Sequence, residues 1–265
     1  MLPVVLHHGL FGFGAFNIGG FKLSYFHRID RAIADRGHPL IISRVHPTSS
    51  IEHRARQLKT LILKQLRSQK RHRERIIIIA HSMGGLDARF MITHLGMDDR
   101  VAALVTVCTP HRGSPYADWC IKNLGKRLRA MELIQTIGLD MQAANDLTTE
   151  SCRRFNECTP DSPLVRYFSI TCARPWHRVP PFFMHAHHII TDTEGENDGL
   201  VSVASGQWGE HLCTWPADHL HAINKRLVLE LKDPTGDMVP RYMWLLDTLA
   251  ERGVSLHGAT EIPSA

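Results

Sequence analysis

Apolar and polar residues follow two rhythms along this chain, and the rhythms change places from one segment to the next. Short, mostly apolar runs at Val4–His7, Leu40–Arg44, Arg75–Ala80, Val101–Val107, Val165–Thr171 and His187–Ile190 have the length of strands. Arg75–Ala80, with four consecutive isoleucines, reads as a central strand buried on both faces, as parallel strands are. Between these runs the apolar positions recur every three or four residues. Ile51–Ser68 places Leu58, Leu61, Ile62 and Leu66 on one helical face, and Met83–Leu95 sets Leu86 above Phe90 and Met91 above Leu95 before closing at Gly96. Leu23–Arg36 reads as a helix halted by Gly37-His38-Pro39, and Leu220–Leu231 and Arg241–Ala250 as late helices. Alternation of this kind predicts an α/β fold with a mainly parallel sheet covered by helices. The stretch Tyr116–Asn145 mixes Trp119, Ile121, Leu124, Leu128 and Met131 with basic residues, and reads as one or two amphipathic helices inserted above the sheet. From about His257 the chain is expected to fray.

The 265 residues suit one domain, or one domain with an insertion, and 43% apolar residues suffice for a substantial core. The longest aliphatic run, Ile76–Ile79, is far too short to span a membrane. Met1–Leu6 lacks the length and charged flank of a signal peptide and reads as a buried strand, which leaves the cytoplasm and secretion after leader removal both open. Six scattered cysteines without a CxxC pair are expected to be reduced thiols, with Cys152 and Cys158 near enough for a local bridge. The net charge of +5 owes most to the run Arg67–Arg75. No aromatic residues interleave there and no nucleic-acid reader motif follows, so it reads as a solvated loop after a helix and not as a nucleic-acid site. A weak attraction to anionic membrane surfaces stays open.

Chemistry concentrates after the four isoleucines, in Ala80-His81-Ser82-Met83-Gly84-Gly85. A strand that runs into a small-x-Ser-x-Gly turn and then a helix lifts a serine hydroxyl above a sheet, provided small residues stand two positions to either side. Ala80 and Gly84 meet that requirement, which makes Ser82 the candidate nucleophile. A serine needs a base to take its proton and fixed donors for the oxyanion it creates. The backbone N–H of Met83 is one such donor, and that of Leu10, in the loop after the first strand, is assigned as the other. The glycines of that loop lack the third glycine and the Lys-Ser/Thr of a phosphate cradle.

An acid and a histidine should follow the serine in that order. Asp198, in Asn197-Asp198-Gly199-Leu200-Val201, is preferred over Asp192, which reads as a surface loop residue. Among His211, His219 and His221, His219 is preferred because it stands in a turn just before a predicted helix. His185, His187 and His188 could offer metal ligands but read as packed or surface residues, and His7 as strand packing. No metal and no cofactor is expected.

Together these segments resemble the bacterial true lipases, the triacylglycerol lipases related to those of Pseudomonas and Burkholderia. The resemblance rests on His8-Gly9-Leu10-Phe11-Gly12, the serine turn, Thr109-Pro110-His111-Arg112-Gly113-Ser114, Asp146-Leu147-Thr148-Thr149-Glu150, Asn197-Asp198-Gly199-Leu200-Val201 and Asp218-His219-Leu220. It implies the α/β-hydrolase fold over 1–265, the triad Ser82, Asp198 and His219, the donors Leu10 and Met83, and a mobile lid at about 116–145. Lipid or ester substrate would be met at an interface. Two departures matter. The calcium-binding aspartate and glutamine after the catalytic histidine are replaced by His221 and Lys225, and the usual disulfide cysteine is missing from Val203-Ala204-Ser205. The expected activity is hydrolysis of a lipid or carboxylic ester through an acyl-enzyme. Short-chain or polyester hydrolysis, acyl transfer to an alcohol, and a non-catalytic lipid-binding role on the same fold are the alternatives.

Overall fold

The computed structural model describes residues 1–10, 12, 17–18, 21–22, 24–124, 141–225 and 236–256. The chain enters with β1 (Val4–His7), followed by the short antiparallel pair β2 (Asn17–Ile18) and β3 (Phe21–Lys22). Then come α1 (Ile29–Asp35), β4 (Leu40–Ile42), α2 (Ile51–Ser68), β5 (Ile76–His81), α3 (Gly84–His94) and β6 (Val101–Val107). After α4 (Pro115–Leu124), α5 (Met141–Asp146) and α6 (Thr149–Cys158), the sheet resumes with β7 (Arg166–Cys172). The last elements are α7 (Met184–Glu194), α8 (Val203–Gly206), β8 (Glu210–Trp215) and α9 (Val239–Glu251).

Six strands form one sheet in the order β4-β1-β5-β6-β7-β8, and every neighbouring pair is parallel. The winding reverses between β1 and β5: the chain first steps outward to β4, then crosses back over β1. Ligand sites of such sheets lie at the carboxyl ends of the strands beside that reversal. Side chains of successive residues point to opposite faces, so the four isoleucines of β5 are shared between two cores. Ile77 and Ile79 join Val4, Leu6, Phe26 and Ile33, with Tyr242 and Leu245 of α9, on one face. Ile76 and Ile78 join Val5, Leu58 and Ile62 of α2, and Ala88 and Met91 of α3, on the other.

Several expectations needed correction. His187–Ile190 is no strand but part of α7, where Ala186, His187 and Ile190 are the buried positions. A four-residue apolar run cannot distinguish strand from buried helix, and the spacing one turn apart decides for helix. The sixth strand is β8 instead, an edge strand whose only fully buried residue is Trp215, so its pattern is faint. The first helix begins at Ile29 and not at Leu23. In place of a helix from Leu220, a single 3-10 turn, His221–Ile223, ends at Asn224 in the left-handed region (φ 62°), and 226–235 lie outside the described residues. Cys152 and Cys158 are free thiols, Cys152 buried at the start of α6 and Cys158 exposed at its end. Of the expected insertion 116–145, α4 and α5 are helical as predicted, while 125–140 lie outside the described residues.

Candidate active site

Ser82 occupies the turn between β5 and α3, at φ 56°. A residue other than glycine with positive φ is strained by an amount of order 1–3 kcal/mol, here imposed by central-strand packing on one side and a helix start on the other. Small neighbours are required by contact. A Cβ on Gly84 would fall 2.8 Å from the carbonyl oxygen of His8, and one on Gly9 would fall 2.6 Å from the Cβ of Ser82 itself. The loop after β1 therefore passes directly against the serine.

The three residues expected to act together are together. Ser82 Oγ lies 3.0 Å from His219 Nε2, and His219 Nδ1 lies 2.7 Å from Asp198 Oδ2. A carboxylate only accepts, so Nδ1 carries the proton and Nε2 is left to accept from the serine hydroxyl. Asp198 is fully buried, and its other oxygen accepts from the backbone N–H groups of Leu200 and Val201 at 2.9 and 2.8 Å. The backbone N–H of His219 donates to the Asp198 carbonyl at 2.9 Å, which ties the two loops a second time.

A third tie runs through Arg174 and Asp218, to which the motifs assign no role. Asp218, next to the histidine, accepts from the N–H groups of Leu220 and His221 through one oxygen and pairs with Arg174 through the other at 2.6 Å. The backbone N–H of Arg174 donates to Asn197 beside the acid, so one arginine spans the acid loop and the base loop.

The nucleophile side is fixed differently. Arg54 of α2, fully buried, donates to Asp87 of α3 at 2.8 Å, to the His8 carbonyl at 2.7 Å and to the His46 carbonyl at 2.8 Å. His7 donates Nε2–H to the same Asp87 oxygen at 2.9 Å and accepts from Ser43 at Nδ1. Burial, opposed by Asp87, holds His7 neutral below the ordinary histidine range. Leu10 is partly buried against the cluster that holds Met83 and Leu86, and Met83, which follows Ser82, stands at the N-cap of α3.

A relay crosses between the sides. The N–H of Gly9 donates to Tyr25 Oη at 3.2 Å, Tyr25 donates to His81 Nδ1 at 2.8 Å, and His81 donates Nε2–H to the carbonyl of His219 at 3.0 Å. Burial, followed by the proximity of His219, pushes His81 well below the ordinary range, which keeps it neutral. Sequence signals for these residues were present but faint. Arg54 interrupts the apolar face of α2 set by Ile51, Ala55 and Leu58, and an arginine at such a position announces a buried partner.

The remaining histidines fall into place. His187 bonds the Arg174 carbonyl at 2.9 Å and Thr191 at 3.2 Å, and His188 bonds the Met184 carbonyl. His211, expected at the surface, is half-buried on β8 against Thr171, and His221 donates to the Gly236 carbonyl. His221 is thus engaged and Lys225 brings a positive charge, so these two positions do not fit a calcium ion. Among the described residues, His81, Cys108 and His219 bring three ligand-type atoms within 4.8 Å of one another. All four of the ring nitrogens are already hydrogen-bonded, and burial holds the Cys108 thiol well above its ordinary range, so the cluster reads as packing around the base.

Known proteins resemble this chain in sequence and in fold. A family model described as a PGAP1-like alpha/beta domain matches residues 50–152, which includes the Ser82 turn. Triacylglycerol lipase 2 of Saccharomyces cerevisiae is 33% identical over 250 residues, covering 88% of this chain and 75% of the yeast protein. A triacylglycerol lipase of Pseudomonas fragi is 26% identical over 84% of this chain and 87% of its own length. In three dimensions, the mature lipase BlEst2 of Bacillus licheniformis superposes with a TM-score of 0.68 over 89% of this chain and 92% of that one, at 21% identity, a likeness of fold. With the α/β-hydrolase fold and an extended match of this identity, the chain belongs to the triacylglycerol lipase family of ester hydrolases.

Proposed function

We propose that this protein hydrolyses lipid esters through an acyl-enzyme formed on Ser82, with His219 as general base and acid and Asp198 as its orienting carboxylate. The reading rests on one observation above the others: the unbroken chain from Ser82 Oγ through His219 to Asp198, at 3.0 and 2.7 Å, at the carboxyl end of a central parallel strand. His219 takes the hydroxyl proton as Ser82 attacks the ester carbonyl, and the buried Asp198 stabilises the imidazolium that results. The N–H groups of Met83 and Leu10 receive the oxyanion, donors worth about 2.7–4 kcal/mol each in reactions of this kind. The alcohol leaves with the proton from His219. Water, activated by the same histidine, then releases the acid. Residues 1–265 form one α/β-hydrolase domain, the segment 116–145 serves as its lid, and substrate is met at a lipid–water interface.

Hydrolysis of p-nitrophenyl esters of increasing chain length, in the parent and in Ser82→Ala, tests this. Turnover abolished by the substitution is the expected result, with long chains preferred if the substrate is an acylglycerol and short chains if it is a soluble ester. A parent that folds but cleaves no ester of any length, with detergent present, overturns the reading in favour of a lipid-binding role.

A further inference from the structure

The rim beside the catalytic histidine is unusually aromatic. Phe183 stands edge-on to the His219 ring at 6.5 Å between centroids, and Phe182 packs on Phe183 at 4.6 Å while remaining 63% exposed. These two residues lead into α7, which carries His185 and His188 one turn apart. His185 meets Trp119 of α4 at 4.7 Å, and His188 meets Trp176 at 5.9 Å. Trp119 is 40% exposed and Trp176 53%. Three large rings from three segments thus stand half out of the protein on one ridge, around a single helix start that touches the triad.

The charge of the ridge is one-sided. Between Asp161 and Asp192 the chain holds no acidic residue, while His177, Arg178, His185 and His188 are exposed. From the facing helix α4, Lys122 is exposed and Asp118 is turned to Thr149, accepting from both its N–H and its hydroxyl. Asp192 and Glu194 lie at the far end of α7. Half-exposed tryptophans and a phenylalanine beside Arg178 and Lys122, neither in an ion pair among the described residues, suit the headgroup boundary of an anionic lipid layer, where rings enter the apolar zone and basic groups stay with the phosphates.

We propose that the ridge of Trp119, Trp176 and Phe182, with Arg178, is a docking surface for anionic lipid, which seats the mouth of the Ser82 site on its substrate phase. Continuity with the triad through Phe183 favours a lipid surface over a second copy of the chain, since a partner copy there would cover the site. The inference rests on the lipid-ester reading and gives it a location.

Flotation of the full chain with phosphatidylcholine vesicles, with and without phosphatidylglycerol, tests it. The parent should float with the phosphatidylglycerol vesicles and much less with phosphatidylcholine alone. Trp176→Ser with Phe182→Ser should lose about tenfold in partition, with unchanged Tm and unchanged cleavage of a soluble short-chain ester, while cleavage of vesicle-borne ester falls in parallel. Arg178→Glu should remove the preference for phosphatidylglycerol. A parent that does not float, a double variant that floats like the parent, or a parent dimer that the double variant converts to monomer overturns the proposal. Intact flotation with no ester cleaved in either assay would instead overturn the hydrolase reading and leave the docking surface standing.

Discussion

Ser82, Gly9 and Met83 are placed by β1 and β5, neighbouring strands in the interior of the sheet, whereas Asp198 and His219 stand on loops beyond α7 and β8, toward its edge. On the interior side, strand register and a buried charge cluster leave the backbone little choice. On the edge side, position is made by hydrogen bonds between loops: Asp198 to Leu200 and Val201, His219 to the Asp198 carbonyl, and Arg174 to Asn197 and Asp218. The first corner is therefore where stability is concentrated. The second is where orientation is concentrated. Substitutions should separate the two, with interior changes lowering Tm and edge changes lowering kcat in a protein that still folds.

The largest effect is expected at the edge. Asp198→Asn keeps the shape but can no longer hold Nδ1–H toward an anion, and kcat should fall by about 10³–10⁴-fold with Tm close to the parent's. Steady-state kinetics beside a thermal melt decide it. A loss smaller than tenfold would mean that another carboxylate orients His219. At the interior corner, Arg54→Met leaves Asp87 buried without its main cation, and His7 is neutral and cannot replace it. Removing one partner of a buried pair costs about 3–5 kcal/mol, to be read from denaturant unfolding. Arg174→Gln is the counterpart at the edge, since its partner Asp218 keeps two backbone donors. There the expected result is a kcat loss that exceeds the loss of stability. Equal stability losses at the two arginines would erase the distinction drawn between the corners.

Acid should probe the same contrast. His7, His8 and His81, all buried on the interior side, and His111 behind α3 are held below the ordinary histidine range, each chiefly by burial. In the folded state they stay neutral, while in the unfolded chain each binds a proton once the pH drops below about 6.5. The unfolded state then holds more protons, so stability is fully present above that pH and declines as the pH falls toward the folded-state values. The slope is at most about 1.4 kcal/mol per pH unit for each histidine. Unfolding at pH 8 and pH 5.5 measures it, and equal stability at the two values would show that these rings titrate in the folded protein.

This contrast also explains what could be read from the amino-acid order. The interior corner is written in contiguous residues: four isoleucines, then Ala80-His81-Ser82-Met83-Gly84-Gly85, because strand, turn and helix follow one another without a break. Asp198 and His219 were recognisable by motif, yet the elements around them were misread. His187–Ile190 reads as a strand because four residues cannot reveal a helical period, and β8 leaves no clear pattern because an edge strand buries little. The residues that join the parts were invisible for another reason. Tyr25 and His81 are 56 residues apart, and Arg174 and Asp218 are 44 apart, so only the register of the sheet and the course of the loops bring them together.

Tyr25 is the residue that can sharpen the comparison, because it stands in the middle of the relay between the sides: it receives Gly9 N–H, and through His81 it reaches the carbonyl of His219. Tyr25→Phe keeps the ring in the core and deletes only the hydroxyl. Gly9 N–H then loses its acceptor, and His81 Nδ1 loses the donor that fixes its tautomer. The loop that carries Leu10 and the loop that carries His219 should each gain freedom, in a site where sub-ångström placement matters. A fall of about tenfold in kcat is expected, the equivalent of one ordinary buried hydrogen bond, about 1.4 kcal/mol, with KM unchanged because no substrate contact is removed. A double-mutant cycle with His81→Gln carries the argument further. If the two residues act as one relay, the second substitution should add little to the first. If their effects add in full, the corners are held independently and the relay is only packing between them.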